Sequence, residues 1–149
     1  MASITSSNAI IMLSVDKVYN VPQQLEDWAT DNIYDLQPSV IAEIRMGADG
    51  VLTGGLVYTA QPITYHLQAD SPSCAVFDAW DLAQETYGDL YYAFGSLTLN
   101  ALGIKWSMTK GILTQWQRIP SGQRTLQPRT AIITWQSVTP QPSNSLPQN

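Results

Sequence analysis

The chain has 149 residues, of which only 13% are charged, and its net charge at pH 7 is −5. A chain of this length fits one domain that buries roughly 68–70% of its unfolded surface, so it needs no disulfide or metal for stability. Cys74 is the only cysteine, which excludes an internal disulfide. No leader-like segment and no membrane-spanning apolar run is visible, so we expect a soluble protein.

The two parts of the chain carry opposite charge. Residues 1–89 hold all 12 acidic side chains with only Lys17 and Arg45, whereas residues 90–149 hold five basic side chains and no acidic one. Few charges beside many Trp and Tyr residues favour a surface that meets other protein, although a polar β-protein with uncharged faces is the alternative. The opposite charges can meet within one subunit or between two copies.

Short β-strands are predicted over most of the chain. Ala9–Val15 is a first run of β-branched and apolar residues, and residues 40–46 form another. Asp49-Gly50 then predicts a tight hairpin leading into residues 51–60, and an Asp49 metal ligand has no partner cluster nearby. The apolar residues of 25–35 fit neither the helical nor the strand period cleanly. We favour strand and loop there over a short helix.

Further strands follow residue 60, so the chain has about eight or more. Apolar and polar residues alternate from Ile63 to Gln68, which is typical of a half-buried strand. The later runs, separated by turn residues that include Gly111, are 90–99, 104–109, 112–119 and 130–138. Residues 139–149, rich in Pro, Gln and Ser, are expected to form a flexible tail after a single domain of residues 1–138.

One segment, residues 72–87, is predicted to be an amphipathic helix. Ser71 precedes Pro72 at the expected first helical position, and Gly88 is expected to end the helix. Apolar side chains recur at helical spacing at Val76, Phe77, Trp80, Ala83 and Tyr87. This stripe is expected to cover an open end or face of the β-structure rather than to bind a cofactor.

The residues that catalysis needs are scarce. His66 is the only histidine, and turn residues separate it from Cys74, so no motif supports a dyad. Asp78, Asp81 and Glu85 are spaced as on a solvated helix face. Metal sites built on His or Cys clusters are excluded by count, and nucleotide-binding loops are absent. We therefore expect no enzyme, no cofactor and no metal, and the net charge argues against a nucleic-acid reader.

Three stretches, in order, resemble a known family. Met46-Gly-Ala-Asp-Gly50 closes a strand and opens a hairpin, and Leu67 leads through Asp70-Ser-Pro-Ser73 into the helix. Gly111-Ile-Leu113 is followed, after a turn at Ser121-Gly122, by Leu-Gln-Pro-Arg-Thr-Ala-Ile-Ile-Thr-Trp at 126–135. Over residues 8–138 the sequence resembles the tail tube proteins of contractile-tailed bacteriophages, which are similar to tube subunits of R-type pyocins and type VI secretion systems.

The resemblance implies a β-sandwich or small barrel flanked by one helix. It also implies hexameric rings that stack head to tail into a channel, through which double-stranded DNA passes without specific binding. Tail sheath and baseplate proteins would be the partners, in a virion tail assembled in the host cytoplasm. Head-to-tail contacts suit such an assembly, because they generate rings when the rotation closes and filaments when it does not.

The charge pattern then suggests which residues face the channel and which face other subunits. A channel for DNA should not attract phosphate, so some of the acidic residues, with Glu43 and Asp49 as candidates, are expected to line the lumen. The candidates for subunit contacts are Arg118, Arg124, Arg129 and Trp135. Either residues 45–59 or residues 106–117 could form the long inner hairpin.

Other functions stay open from sequence alone. A terminator or baseplate component could share the tube fold and cap the tube instead of extending it. A carbohydrate-binding or adhesin module could use Trp28, Trp106, Trp116 and Trp135 as stacking platforms, although packing in the core or at interfaces is favoured for these side chains. An enzyme would depend on His66 and the carboxylates.

Overall fold

The computed structural model describes residues 9–26, 33–100 and 102–142, which contain nine strands and one helix. The strands are β1 (Ala9–Val15), β2 (Tyr19–Leu25), β3 (Tyr34–Leu36), β4 (Ala42–Met46), β5 (Leu52–Leu56), β6 (Gln61–Leu67), β7 (Ala93–Leu99), β8 (Ile104–Trp116) and β9 (Arg129–Pro142). Helix α1 (Cys74–Tyr87) lies between β6 and β7 in the chain. The predicted mainly-β fold with one helix is confirmed.

Seven of the strands form one antiparallel sheet in the order β2-β1-β7-β8-β9-β6-β3, while β4 and β5 pair only with each other. The outermost strands of the large sheet, β2 and β3, are not neighbours, so the sheet is not closed into a barrel. The open sheet with its single helix corresponds to the sandwich rather than the closed barrel among the two predicted architectures.

The core combines aliphatic and aromatic side chains, and hydrogen bonds hold its two buried indoles in place. Trp80 and Phe77 of α1 are fully buried, as is Trp135 of β9. The Trp80 indole N–H donates to the Tyr91 carbonyl at 2.9 Å, and the Trp135 N–H donates to the Tyr65 hydroxyl at 3.3 Å. Each buried indole therefore has a partner for its donor. Val76, Phe77 and Trp80 of the predicted helix stripe are buried, whereas Tyr87 at its end is exposed.

Gly111 was expected to separate two strands, and this prediction was wrong. Residues 104–116 form the single strand β8, in which Gly111 lies opposite Trp135 of β9. A Cβ atom at Gly111 would lie 2.5 Å from the Trp135 ring. The glycine is therefore needed for the close packing of the indole against the sheet and not for a turn.

The helix begins two residues later than predicted. Ser73 is the N-cap of α1 but its side chain caps no N–H of the helix, while the Ser71 hydroxyl accepts from the Ser73 N–H at 3.2 Å. The Ser71 hydroxyl also donates to the Glu26 carbonyl at 2.6 Å, and the Ser73 hydroxyl accepts from the Glu26 N–H at 2.8 Å. These serines join the end of β2 to the start of the helix. Gly88 ends the helix in the left-handed region, as predicted.

The predicted start of the flexible tail falls within β9. This strand continues to Pro142, with Thr139 and Gln141 opposite Ser107 and Lys105 of β8. Pairing with β6 ends at Trp135, so the prolines of this extension lie where β9 has a neighbour on one side only. Residues 143–149 lie outside the described part of the chain, as do residues 27–32 with Trp28.

Candidate assembly surface

Residues 40–58 form a hairpin, here called the arm, built from β4 and β5. Gly50 adopts a positive φ of 83° in the turn, and the Asp49 carboxylate accepts from the Val51 N–H at 3.1 Å. The hairpin predicted from Asp49-Gly50 is confirmed. Because the arm pairs with no strand of the large sheet, its side chains are available on both faces.

The two faces of the arm differ in chemistry. Residues directly opposite one another in an antiparallel pair point to the same face. The resulting apolar face consists of Ala42, Ile44, Met46, Leu52, Gly54 and Leu56. The other face carries Glu43 and Arg45, opposite Gly55 and Thr53. Residues 42–56 of the arm thus form an amphipathic ribbon, and the exposed Ile41 extends the Glu43 face beyond it.

Within the described part of the chain, nothing covers the apolar face. Every residue of β4 and β5 is exposed, with Ile44 at 71% and Leu56 at 70% of full exposure, and the flanking Tyr58 is at 90%. A two-stranded hairpin is at best marginally stable alone, and a contiguous apolar patch usually marks an interaction surface. The alternating pattern of the arm is typical of a half-buried strand and indicates that this face meets a partner.

Both residues expected to line a lumen lie on this arm. Glu43 is on its polar face, and Asp49 lies in its turn. The structure therefore places the two carboxylates on the same hairpin, apart from the seven-stranded sheet.

Arg129 was expected at a subunit contact, but the structure places it inside the subunit. Its guanidinium donates to the Asp78 carboxylate at 2.9 Å and to the carbonyls of Gln117 and Arg118 at 3.1 and 2.7 Å. It also lies 4.3 Å from the centre of the Trp116 ring. With only 7% of the residue exposed, Arg129 joins α1 to β8 and β9 and is not available to a neighbouring copy.

The other three interface candidates occupy different environments. Arg118 is exposed, yet it pairs with Asp81 at 2.6 Å and lies 3.7 Å from Glu85, and the Asp81 hydrogen bond raises the pKa of its guanidinium. Trp135 is fully buried in the core, which corrects its expected place at a contact. Arg124 is exposed between β8 and β9 and forms no ion pair within the described residues. Of the three arginines among the candidates, Arg124 is the one that is both exposed and without an ion pair within the described residues.

A protein-family model described as "Tail fiber protein gp32" matches residues 2–139. The chain belongs to this family. No curated protein matches it.

Solved structures share the fold of this gp32-family chain. A chain in the sheath/tube terminator of the PVC extracellular contractile injection system is 13% identical, with a TM-score of 0.63 and coverage of 95% of this chain and 98% of that one. A chain in the tube-terminating cap of the anti-feeding prophage is 14% identical, with a TM-score of 0.60 and coverage of 96% of this chain and 93% of that one. A chain in the PVC sheath-tube complex is also 14% identical, with a TM-score of 0.59 and coverage of 89% of this chain and 88% of that one. At such identities the likeness establishes the fold.

The residues considered for catalysis lie apart in the gp32-family chain. His66 contacts Asp35 at 3.3 Å on the outer face of the sheet, while Cys74 is buried at the start of α1 and contacts the Gln68 carbonyl at 3.5 Å. Burial raises the pKa of the Cys74 thiol. Among residues 9–26, 33–100 and 102–142, no group of three or more potential metal ligands comes together. None of the helices described is long and apolar enough to cross a membrane.

A second surface is the face of β8 and β9 that points away from the core. It is rich in hydroxyl groups: those of Thr109 and Ser137 lie 2.6 Å apart, and those of Thr114 and Thr134 lie 3.3 Å apart. No acidic residue occurs in β7, β8 or β9, since the last one in the chain is Asp89. The three central strands of the large sheet, β7, β8 and β9, therefore contribute polar side chains without negative charge to this face.

Proposed function

We propose that this gp32-family chain is a structural subunit of a contractile phage tail. In this proposal, copies form hexameric rings that stack head to tail into a tube for genome delivery, within a virion tail assembled in the host cytoplasm. Sheath and baseplate proteins are the proposed partners. The single observation that carries the proposal is the apolar face of the arm, which the subunit builds but does not cover.

The comparisons support the same proposal. The family description names a tail fiber protein, and the solved structures that share the fold come from a sheath-tube complex, a sheath/tube terminator and a tube-terminating cap of contractile injection systems. The sheet edges at β2 and β3 add a second opportunity for contact, since an unpaired edge strand can pair with a neighbour.

The proposed channel lining combines two polar surfaces. The hydroxyl-rich face of β8 and β9 offers hydrogen-bonded side chains, and the polar face of the arm offers Glu43, with Asp49 in the turn. Arg45 is the only basic side chain of the arm. Lys105 alternates with Ser107 and Thr109 on the first surface, and Arg45 lies on the second, so each would add attraction for phosphate that Glu43 and Asp49 would partly offset.

A terminator or baseplate component is the second candidate. It is favoured by the fold likeness to a sheath/tube terminator and a tube-terminating cap, each matched over more than nine-tenths of both chains. A terminator would form a ring but would not add further rings. A carbohydrate-binding role finds less support, because Trp135 is buried and Trp116 stacks on Phe77 with ring centres 5.0 Å apart.

Electron microscopy of the purified protein at rising concentration tests the proposal. Sixfold rings that stack into tubes with an open channel are expected for a tube subunit, and single rings that never stack are expected for a terminator. A protein that remains dispersed at every concentration contradicts both. Ile44→Asp, which places a charge on the apolar face of the arm, should reduce assembly, whereas Thr53→Asp on the polar face is the matched control.

A further inference from the structure

An apolar groove of about 220 Å³ opens at one end of the core. Its walls include Tyr34 and Leu36 of β3, Leu97 of β7, Trp106 of β8 and Val138 of β9, and none of its lining side chains is an acid or a basic residue. Burial raises the pKa of the Tyr34 phenol, in keeping with apolar surroundings. The groove is therefore a preformed site for an uncharged, apolar group.

Curling of the sheet produces this groove. β7 and β3 are separated by β8, β9 and β6 in the sheet order. Four strand spacings would place them about 19 Å apart in a flat sheet, yet Leu97 and Tyr34 line the same groove. The helix closes the other end of the core, where Phe77 packs on Trp116. One end of the sandwich is thus covered by α1, and the opposite end is left open.

We propose that this groove receives apolar side chains from the arm of a neighbouring copy. The inference rests on the proposed self-assembly and names the surface to which the arm binds. The arm's apolar face and the groove both lack charge, and Glu43 and Arg45 lie on the face of the arm that would stay in water. No charge has to be desolvated when the two surfaces meet.

The volume of the groove agrees with the entry of one or two apolar side chains. An engineered apolar cavity of about 150 Å³ binds benzene, so the groove has room for one or two arm side chains. The exposed large apolar side chains on the arm face and its flanks are Val40, Ile44, Met46, Leu52, Leu56 and Tyr58. The one or two of them that enter the groove, at roughly 60–120 Å² each, would bury about 60–240 Å² of the arm.

The contact would be head to tail. Arm and groove are different surfaces of one chain, so each docking event leaves one free arm and one free groove for the next copy, and the assembly continues until a ring closes or a filament grows. Pairing of two arms with each other would instead stop at a dimer. Insertion of an arm into the groove of its own chain would yield a monomer.

Two complementary variants distinguish these arrangements. Ile44→Asp disables the arm and keeps the groove, while Leu36→Asp disables the groove and keeps the arm; both residues are exposed in the subunit. Each variant alone should self-associate about 30-fold or more weakly than the wild type, which corresponds to about 2 kcal/mol. Thr53→Asp and Gln37→Asp are the matched controls and should associate normally.

Mixing the two variants provides the decisive measurement. With a mass tag on one of them, native mass spectrometry should show restored association into species that contain equal numbers of both. If Leu36→Asp associates like the wild type, or if the mixture regains nothing, the groove is not the acceptor. If Leu36→Asp fails to fold by circular dichroism, Val138→Thr, which adds a hydroxyl without changing shape, should still weaken association. A wild type that never assembles would instead refute the proposed function itself.

Discussion

Arg129→Met is expected to destabilise the subunit rather than to act on assembly alone. The wild-type guanidinium is almost completely buried and makes charge-assisted hydrogen bonds to Asp78 and to two backbone carbonyls. Methionine can fill part of the space against Trp116, but it donates no hydrogen bond. The interactions between α1 and the ends of β8 and β9 would therefore weaken.

The magnitude follows from the burial of the two partners. Removing one member of a fully buried ion pair costs about 3–5 kcal/mol, because the other charge is left uncompensated. Here the Asp78 side chain is 52% exposed and keeps a hydrogen bond from the Trp116 indole at 2.9 Å, so water recovers part of the loss. We expect a decrease of about 2–3 kcal/mol in the free energy of unfolding, or roughly 5–10 °C in Tm.

Urea unfolding and thermal unfolding, followed by circular dichroism at a concentration where sedimentation shows monomers, measure this effect without a contribution from assembly. Arg118→Met is the matched control, since Arg118 is 63% exposed and its pairs with Asp81 and Glu85 lie at the surface. A normal Tm for Arg129→Met together with failed assembly would refute the intrasubunit role and restore Arg129 to the interface.

Two further changes test the core. Gly111→Ala places a Cβ within 2.5 Å of the Trp135 ring and should lower the unfolding free energy by about 1–3 kcal/mol in urea titrations, whereas Gly55→Ala, with no neighbour within 4 Å, should not. Burial raises the pKa of Tyr65, so the folded state resists ionisation of its phenol. The free energy of unfolding should therefore be unaffected below about pH 10 and should fall above it. The fall should be less steep in Tyr65→Phe.

The sequence predicted the elements whose pattern is local. β1 and β6 follow from alternating apolar residues, and the arm follows from the turn preference of Asp49-Gly50. The helix could be predicted as well, because apolar residues three or four positions apart fall on one face of an α-helix. β2 was missed, since its sequence combines Pro22 with polar residues and is held as a strand by pairing with β1.

Features that depend on contacts between distant residues could not be predicted. Gly111 has the composition of a break, and only its position opposite Trp135 shows that it provides room for a ring. Arg129 follows a proline in a polar segment, which is typical of an exposed arginine. Its burial depends on Asp78, 51 residues earlier on the helix, and on a tertiary arrangement that no local pattern specifies.

The opposite charges of the two parts of the chain meet within one subunit. Asp78, Asp81 and Glu85 of the helix lie beside Arg129 and Arg118 of the acid-free part, so both arginines are already paired before any copy binds. Because Arg118 and Arg129 are taken up by these pairs, we propose an apolar attraction for assembly. It comes from an amphipathic arm whose alternating pattern has no core to face in its own subunit, and from an open groove at the end of the sandwich that the helix does not cover. In such an assembly the arm of each copy fills the groove of the next copy, which is the requirement for head-to-tail growth.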